Sequence, residues 1–322
     1  MTAARVGWIL LLAIAVTAAL APLLAGARPI VIVTSSGMRL PAVSAMLHPL
    51  PDGRPPVPAE PASEILWSLD PPVPHDPLAV DLGQRLRPPG QGHWLGTDEL
   101  GRDILARLIH ASRPSLFVAA IATLISILIG VPLGAAAGYD AGRADMLLSR
   151  AIEASLSFPA LILLLLLAAL AMDGRGAPGA DVSLRSLMVV GASVGVARWG
   201  VIARYMRGEV LRLRGTDLAL ASRATGATAL RTISRHLVPA GFTPVAVSAA
   251  FGAGSAVIAE ASLSFLGMGI QPPAPTWGQM IAASGTMGTR YWWMLVFPGA
   301  MVALTVASFN LVAEGLRRRA SR

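Results

Sequence analysis

The sequence predicts an all-α polytopic membrane protein with six transmembrane helices and a long extracytoplasmic loop after the first helix. Hydrophobic residues make up 54% of the 322 residues and charged residues only 14%, and the mean hydropathy is +0.62. Several apolar runs exceed the roughly 18 residues at which a membrane span is the default interpretation. A soluble globular domain is therefore excluded.

The first predicted span covers residues 6–25, directly after Arg5. A cleaved signal peptide is the alternative, with Ala25, Gly26 and Ala27 as its small-residue site. The apolar core of a signal peptide is usually about 7 to 15 residues long, and this run is longer. We therefore expect a retained N-terminal transmembrane helix within residues 1–26.

Five further apolar runs complete the set of predicted spans. Each of the six is long enough to cross a hydrocarbon core of about 30 Å as a helix. Glycines four residues apart in two of the runs predict close helix packing, and we favour packing within one bundle over a dedicated dimer interface. The five runs are residues 115–138, 151–172, 186–203, 241–261 and 292–313.

The positive charges predict the orientation of these spans. All 26 basic residues are arginine, and the formal net charge is +8. With the N-terminus inside, the short outer loops hold only Arg175, Arg185 and Arg290, so the positive-inside bias places both termini in the cytoplasm. Nucleic acid is not an expected partner, because the arginines sit in short loops beside apolar spans. The cytoplasmic arginines are Arg5, Arg143, Arg150, Arg204, Arg207, Arg212, Arg214, Arg223, Arg231, Arg235, Arg317, Arg318, Arg319 and Arg322.

Residues 27–114 then lie outside the membrane. Their middle is rich in proline, which favours an extended, loop-like excursion over a packed domain, with an amphipathic helix before the next span. Residues 28–33 are expected to form a short strand. The prolines are Pro49, Pro51, Pro55, Pro56, Pro58, Pro61, Pro71, Pro72, Pro74 and Pro77.

Catalysis has almost no support in this sequence. Residues 191–195 match GxSxG and residues 174–179 match GxGxxG, but both lie in or between apolar spans, without the strand-to-helix context that these motifs need. The five histidines lack metal-ligand spacing, and cysteine is absent, so we predict no catalytic residue, no metal site and no bound cofactor. The missing lysine also excludes a Walker A loop, and with it a P-loop ATPase.

Three charged residues fall inside the predicted spans: Glu153, Arg198 and Glu260. Charges are costly in lipid, so each should face protein or water. Lining a path and pairing within the bundle both remain open for them, and no chain of acidic residues indicates a proton relay.

The polar segment from Asp217 to Pro239 separates two apolar runs and should form two short helices. Thr216 or Asp217 can cap the first helix, whose residues 218, 221 and 224 or 225 share a face. Gly226 allows a turn, and Thr228 can cap a second helix that continues through residue 235. Such short helices are marginal alone, so we expect the apolar face to bind a groove on a partner; a helix lying on the membrane surface is the alternative.

This segment resembles the EAA loop of bacterial ABC importer permeases, whose pattern is Glu-Ala-Ala, three residues, Gly and a spacer ending in Pro. Leu220-Ala221-Ser222, Gly226 and the final Leu237-Val238-Pro239 match it, with Leu220 in place of the usual glutamate. The resemblance implies that residues 205–239 are a cytoplasmic coupling loop for an ATPase. The implied coupling residues are Asp217, Leu218, Leu220, Ala221, Ser222, Ala224, Gly226, Ala227 and Pro239.

Three further motifs resemble those of the C subunits of dipeptide and oligopeptide permeases. They are GTDELGRD at residues 96–103, AEASLSFLG at 259–267 and QPPAPTWG at 271–278. The resemblance places the motifs at the outer face; helix capping and turn formation are the alternative role. The residues concerned are Gly96, Thr97, Asp98, Gly101, Arg102, Asp103, Glu260, Gln271, Pro272, Pro273, Trp277 and Gly278.

The resemblance implies a type I ABC importer permease domain of five helices over residues 115–316, followed by a basic cytoplasmic tail at 317–322. It also implies a bacterial inner-membrane location and four kinds of partner: a second, B-type permease, two ABC ATPase subunits that bind ATP and Mg²⁺, an extracytoplasmic substrate-binding protein, and membrane lipid. The expected cargo is a di- or oligopeptide. Nickel, glutathione, microcin-like or oligosaccharide cargo is an alternative, and a stand-alone secondary transporter or channel is a second.

Overall fold

The computed structural model describes residues 2–34, 37–43, 65–139, 142–172, 181–285 and 287–320. Helices dominate this part of the chain, and the strands of a small sheet follow the first two helices along the sequence. The GxGxxG match at 174–179 and the prolines between 49 and 61 lie outside the described residues.

The N-terminal helix is shorter than the predicted span. Helix α1 covers Thr2–Ala19, and a four-residue helix α2 covers Ala21–Leu24. Pro22 has no N–H, so it cannot donate the helical hydrogen bond to the carbonyl of Ala18. The Arg113 side chain bonds this carbonyl instead, with Nε 2.7 Å from the oxygen, so the expectation of one continuous helix over residues 6–25 was wrong.

A three-stranded antiparallel sheet follows, in the order β2-β1-β3. Strand β1 is Val31–Thr34, β2 is Gly37–Arg39 and β3 is Ile65–Leu69. The strand predicted at 28–33 therefore exists, shifted toward the C-terminus. Strand β1 pairs with both β2 and β3, so the two flanks of the outer segment form a small sheet. The loop-like excursion was predicted from the proline-rich middle, and for residues 44–64, outside the described part of the chain, it stays a prediction.

The four longest helices form the bundle. They are α3, Ile104–Tyr139; α6, Asp181–Leu213; α10, Phe242–Phe265; and α12, Trp293–Ala320. All four contain a stretch long and apolar enough to cross a membrane. Helix α3 begins eleven residues before the predicted span, because Asp103 caps its first turn: Oδ1 accepts a hydrogen bond from the N–H of Ala106 at 2.7 Å.

The predicted span at 151–172 is broken into two helices. Helix α4 covers Arg143–Ser157 and α5 covers Ala160–Met172, and the two are bent by 93°. Phe158 has the extended conformation, φ −77° and ψ 136°, which the following Pro159 favours by crowding the helical region.

The described residues therefore hold four helices of spanning length, or five if the bent pair is counted as one span, together with a shorter apolar helix at Ala4–Ala19. The predicted number of six is not reached on this measure. The helical membrane fold itself is confirmed.

Short helices connect the long ones. Helix α7 covers Asp217–Ala224, α8 covers Ala229–Thr232, and a π-helical turn at Ile233–Leu237 leads into α9, Val238–Ala240. Helix α11, Trp277–Ser284, precedes α12.

Helices α3 and α6 pack closely through glycine. A Cβ atom added to Gly130 would lie 2.6 Å from the carbonyl oxygen of Trp199, and one added to Gly138 would lie 2.7 Å from that of Arg207. Neither position can accept a side chain without a shift of the facing backbone. The expected role of these glycines, packing within one bundle, is confirmed.

Candidate functional site: the polar segment and the outer-face motifs

The polar segment, Asp217–Pro239, folds as a helical hairpin. Gly226 makes the turn after α7 with a positive φ of 77°, and the Thr228 hydroxyl caps α8 by accepting a hydrogen bond from the N–H of Arg231 at 3.4 Å. The Thr216 hydroxyl does not cap α7, because it donates to the carbonyl of Leu213 instead. The second helix keeps α geometry only to Thr232, earlier than predicted, and continues as the π-helical turn.

One side of the hairpin is buried. Ala219, Thr232 and Leu237 are fully buried. The Ser222 and Thr232 hydroxyls lie 2.9 Å apart, so a hydrogen bond joins α7 to α8. The two short helices thus share a common interior.

This interior is continuous with the core between the long helices. Ala219 and Leu237 belong to one apolar cluster with residues of α3, α6 and α10. Because such cores are packed closely, a displacement of the hairpin is passed to the helices that it touches. The other buried members of the cluster are Ala135, Ile202, Met206, Val210, Leu213, Val245 and Ala249.

Two arginines join the hairpin region to the end of α3. The guanidinium of Arg223 lies over the ring of Tyr139, 4.9 Å from its centroid, which is a favourable cation–π distance. The Nη1 of Arg214 lies 3.5 Å from the carbonyl of Gly138. Sequence reasoning did not single out Tyr139 or Thr232, because neither carries a signal until the chain is folded.

The opposite side of the hairpin is exposed and carries three leucines. Leu218, Leu220 and Leu230 are 43%, 53% and 75% exposed, and nothing in the described part of the chain covers them. Asp217, Ala221, Ala224, Gly226 and Pro239 are also exposed, Ala227 is half-buried, and Ser222 alone of the predicted coupling residues is buried. The hairpin therefore presents apolar side chains outside the predicted spans, which is typical of a docking surface for a partner.

The GTDELGRD motif builds a tight turn before α3. Asp98 accepts hydrogen bonds from the N–H groups of Leu100 and Arg102 and from Nε of Arg102, at 2.8 to 3.0 Å. The Thr97 hydroxyl bridges two more backbone groups, donating to the carbonyl of Gln84 and accepting from the N–H of Arg87. Gly96 and Gly101 have positive φ, so this motif shapes the backbone.

Two histidines meet Asp103 at this turn. His93 Nδ1 lies 2.8 Å from Asp103 Oδ2, and the His75 ring stacks on His93 with centroids 4.6 Å apart. A ring nitrogen of each histidine and a carboxylate oxygen of Asp103 all lie within 4.8 Å of one another. The spacing of the three residues along the chain did not predict that they would meet. His75 Nε2 also bonds the carbonyl of Gly92 at 2.7 Å, so the cluster fastens the outer loop to the start of α3.

The remaining motifs connect the N-terminal part of α3 and the turn before it to α10, α11 and α12. The Nε1 of Trp277 donates to the carbonyl of Leu108 and that of Trp293 to the carbonyl of Thr97, both at 3.2 Å. A Cβ atom on Gly278 would lie 2.6 Å from Cα of Ala261. Gln271 bonds the Gly269 carbonyl through Nε2 at 3.1 Å and is followed by a cis bond between Pro272 and Pro273.

The two acidic residues within the predicted spans have protein partners. Glu260 is fully buried, as expected of a charge that faces protein, and accepts hydrogen bonds from Ser264 at 2.8 Å and Ser115 at 3.5 Å. Glu153 is exposed on α4 and pairs with Arg150 at 2.9 Å.

Comparison with known proteins gives this geometry a context. The family described as binding-protein-dependent transport system inner membrane component matches residues 130–322. The chain is 38% identical over 246 residues to the dipeptide transport system permease protein DppC of Bacillus subtilis, covering 76% of this chain and 73% of that protein. It is 35% identical over 243 residues to the probable D,D-dipeptide transport system permease protein DdpC of Escherichia coli, covering 76% and 78%.

A solved structure shares the fold. The chain superimposes on a chain of the MetNI methionine ABC transporter in an inward-facing conformation with a TM-score of 0.51 and 21% identity. The match covers 66% of this chain and 97% of that chain. At this identity the likeness concerns the fold alone.

Proposed function

This chain belongs to the family of binding-protein-dependent transport system inner membrane components, and on that premise we propose that it forms half of the transmembrane path of an ATP-driven peptide importer. The relatives named above are dipeptide permeases, which supports di- or oligopeptides as the cargo. A protein of this family is a transport component rather than a catalytic one.

The observation that carries the proposal is the two-sided hairpin at Asp217–Pro239. Its exposed leucines offer a surface to a partner, and its buried side is part of the core of the long helices. A partner that moves the hairpin would move α3, α6 and α10 with it. A rigid-body shift of this kind can switch a transport path between an inward-facing and an outward-facing opening.

The proposed partners follow from the family. Two ABC ATPase subunits would bind the hairpins of this chain and of a second, B-type permease, and ATP with Mg²⁺ would be held on those ATPases. An extracytoplasmic substrate-binding protein would deliver the peptide to the outer face. This arrangement places the hairpin and both termini in the cytoplasm.

The proposal is tested by ATP-dependent uptake of a radiolabelled dipeptide into proteoliposomes that contain the complete complex. We expect Gly226→Asp to abolish or strongly reduce uptake, because the left-handed turn at φ 77° disfavours a side chain. ATP hydrolysis should continue without import.

The matched control is Gly215→Asp. This glycine lies just before α7, its φ is not positive, and a Cβ atom there meets nothing within 4 Å. Uptake should be nearly normal in this variant. Normal uptake in Gly226→Asp, at normal abundance of the complex, would contradict the coupling role of the hairpin.

A further inference from the structure

Arg198 is a cation inside a predicted membrane span. It lies in α6, within the apolar stretch Leu184–Leu213, and its side chain is half-buried. The next arginine toward the cytoplasmic end, Arg204, is six residues away, which is about 9 Å along a helix axis. A charge at this depth is costly unless it faces a polar partner, a water-filled cavity or a path.

Arg198 has no anionic partner within the chain as described. The ion pairs among the described residues use other arginines, and Arg198 makes no hydrogen bond in that part of the chain. A guanidinium carries five N–H donors. Glu260, in contrast, accepts hydrogen bonds from hydroxyl groups of its own chain. The lack of a hydrogen-bond partner at Arg198 is therefore not shared by every charged residue in these spans.

The Arg198 guanidinium lies against α10. A Cβ atom placed on Gly252 would be 3.5 Å from Nη2 and 3.6 Å from Nε of Arg198. Because residue 252 is a glycine without a side chain, the guanidinium can lie close to the backbone of α10. Helical side chains lean toward the N-terminus of their helix, and for α6 this direction leads away from Arg204 and from the cytoplasmic end.

The guanidinium stands beside a face of α10 that the described chain leaves open. Phe251 and Ile258 are 40% and 49% exposed, and Ser255 lies between them on the same face. The Ser255 hydroxyl donates to the Phe251 carbonyl at 3.1 Å and keeps its own acceptor capacity. A recessed guanidinium next to an open, partly polar helix face is accessible to a mobile ligand.

We propose that Arg198 is a binding residue for the carboxylate of the cargo, the C-terminal carboxylate of a peptide that passes along the face of α10. The inference rests on the proposed function, because it assigns a contact to the path of that importer. A guanidinium binds a carboxylate through paired N–H donors. The half-buried position beside Gly252 suits a chain terminus that enters and leaves.

The experiment measures ATP-dependent uptake by the complete complex with Arg198→Lys, Arg198→Gln and Arg198→Met. Each complex is assayed with a dipeptide that has a free carboxylate and with its C-terminal amide. The same binding protein is used with every complex. For each peptide, the uptake rate of a variant is divided by that of wild type, and this ratio is independent of the binding protein's own preference between the peptides. Arg290→Gln, an exposed arginine on an outer loop, is the matched control.

We expect Arg198→Gln and Arg198→Met to lower uptake of the free-carboxylate peptide about tenfold or more, as loss of one partner of a desolvated charge pair would. Arg198→Lys should lose less activity than the Gln and Met variants, because it keeps the charge but not the paired N–H donors. Uptake of the amide should be unchanged wherever wild type imports it, and subunit composition and ATP hydrolysis should match wild type.

Three results would overturn the inference. Normal free-carboxylate uptake by Arg198→Gln would remove the need for the charge. Equal loss in Lys, Gln and Met variants, or equal loss for both peptides, would show a packing role. Loss of the second permease from the Arg198→Gln complex would show that Arg198 pairs with that subunit. If wild type imports neither peptide, the proposed function fails and not merely the role of Arg198.

Discussion

At the scale of single residues, the outer-face motif is explained by backbone geometry. Gly101 has φ 74°, and a Cβ atom there would collide with the carbonyl group of Asp81. Asp98 and Thr97 hold the same turn through hydrogen bonds to backbone groups. The motif therefore shapes the turn before α3, and this is the capping and turn-forming role that the sequence left as an alternative.

We predict that Gly101→Ala destabilises the protein much more than Gly92→Ala. Both glycines have positive φ, but nothing lies within 4 Å of a Cβ atom on Gly92. Gly92→Ala should cost about 1–2 kcal/mol from the left-handed conformation alone, and Gly101→Ala should add the collision. Thermal unfolding of the detergent-solubilised complex measures both, and equal melting temperatures for the two variants would argue against this packing.

At the scale of elements, the hairpin is the part that connects surface to core. Ala219 and Leu237 are buried among the long helices, while Leu218, Leu220 and Leu230 remain exposed. Leu220 stands where the EAA pattern has glutamate, so this docking surface is more apolar than the pattern implies. We expect the partner groove to be apolar at the same point.

We predict that Leu230→Asp weakens binding of the ATPase subunits while the chain stays folded. Leu230 is 75% exposed, so the change removes little internal packing, but it places a charge in the proposed apolar interface. Recovery of ATPase with the tagged chain should fall about tenfold or more.

The control is Leu82→Asp, which changes a leucine of similar exposure, 63%, in the segment that is predicted to be extracytoplasmic. Recovery of the ATPase should be unaffected by it. Full ATPase recovery with Leu230→Asp would show that the exposed leucines of the hairpin are not a docking surface.

Sequence reasoning succeeded where one physical term dominates. Long apolar runs predicted α3, α6, α10 and α12, because burial of backbone polar groups in lipid demands helices. It failed at α4 and α5, where Pro159 and the extended Phe158 break the helix within an apolar run. Hydropathy is averaged over a window of residues, so it does not detect the restriction that a single proline places on the backbone of the residue before it.

Contacts between residues far apart in the chain could not be predicted from the sequence either. Ser222 was named among the coupling residues, whereas its partner Thr232, in the same predicted segment, was not, because the turn at Gly226 decides which hydroxyls meet. The same holds for His75 and His93, which are 18 positions apart and stack only after the outer loop folds back. Periodicity within one helix carries no information on contacts between elements.

At the scale of the whole molecule, the positive-inside bias predicts the orientation of every segment. The chain has no cysteine, so single-cysteine labelling needs no background removal. We predict that Leu82→Cys and Arg290→Cys react with a membrane-impermeant maleimide in intact spheroplasts, and that Arg318→Cys reacts only after permeabilisation. Labelling of Arg318→Cys in sealed spheroplasts would reverse the proposed orientation.

The proposed transport path and its energy source each require subunits besides this chain, so the composition of the complex decides whether the proposed function holds. Native mass spectrometry of the complex purified through a tag on this chain tests it most directly. We predict one copy of this chain, one second permease and two P-loop ATPases, with the ATPases missing when Leu230→Asp is used. Recovery of this chain alone, without a second permease or an ATPase, in a preparation that still transports, would contradict the account.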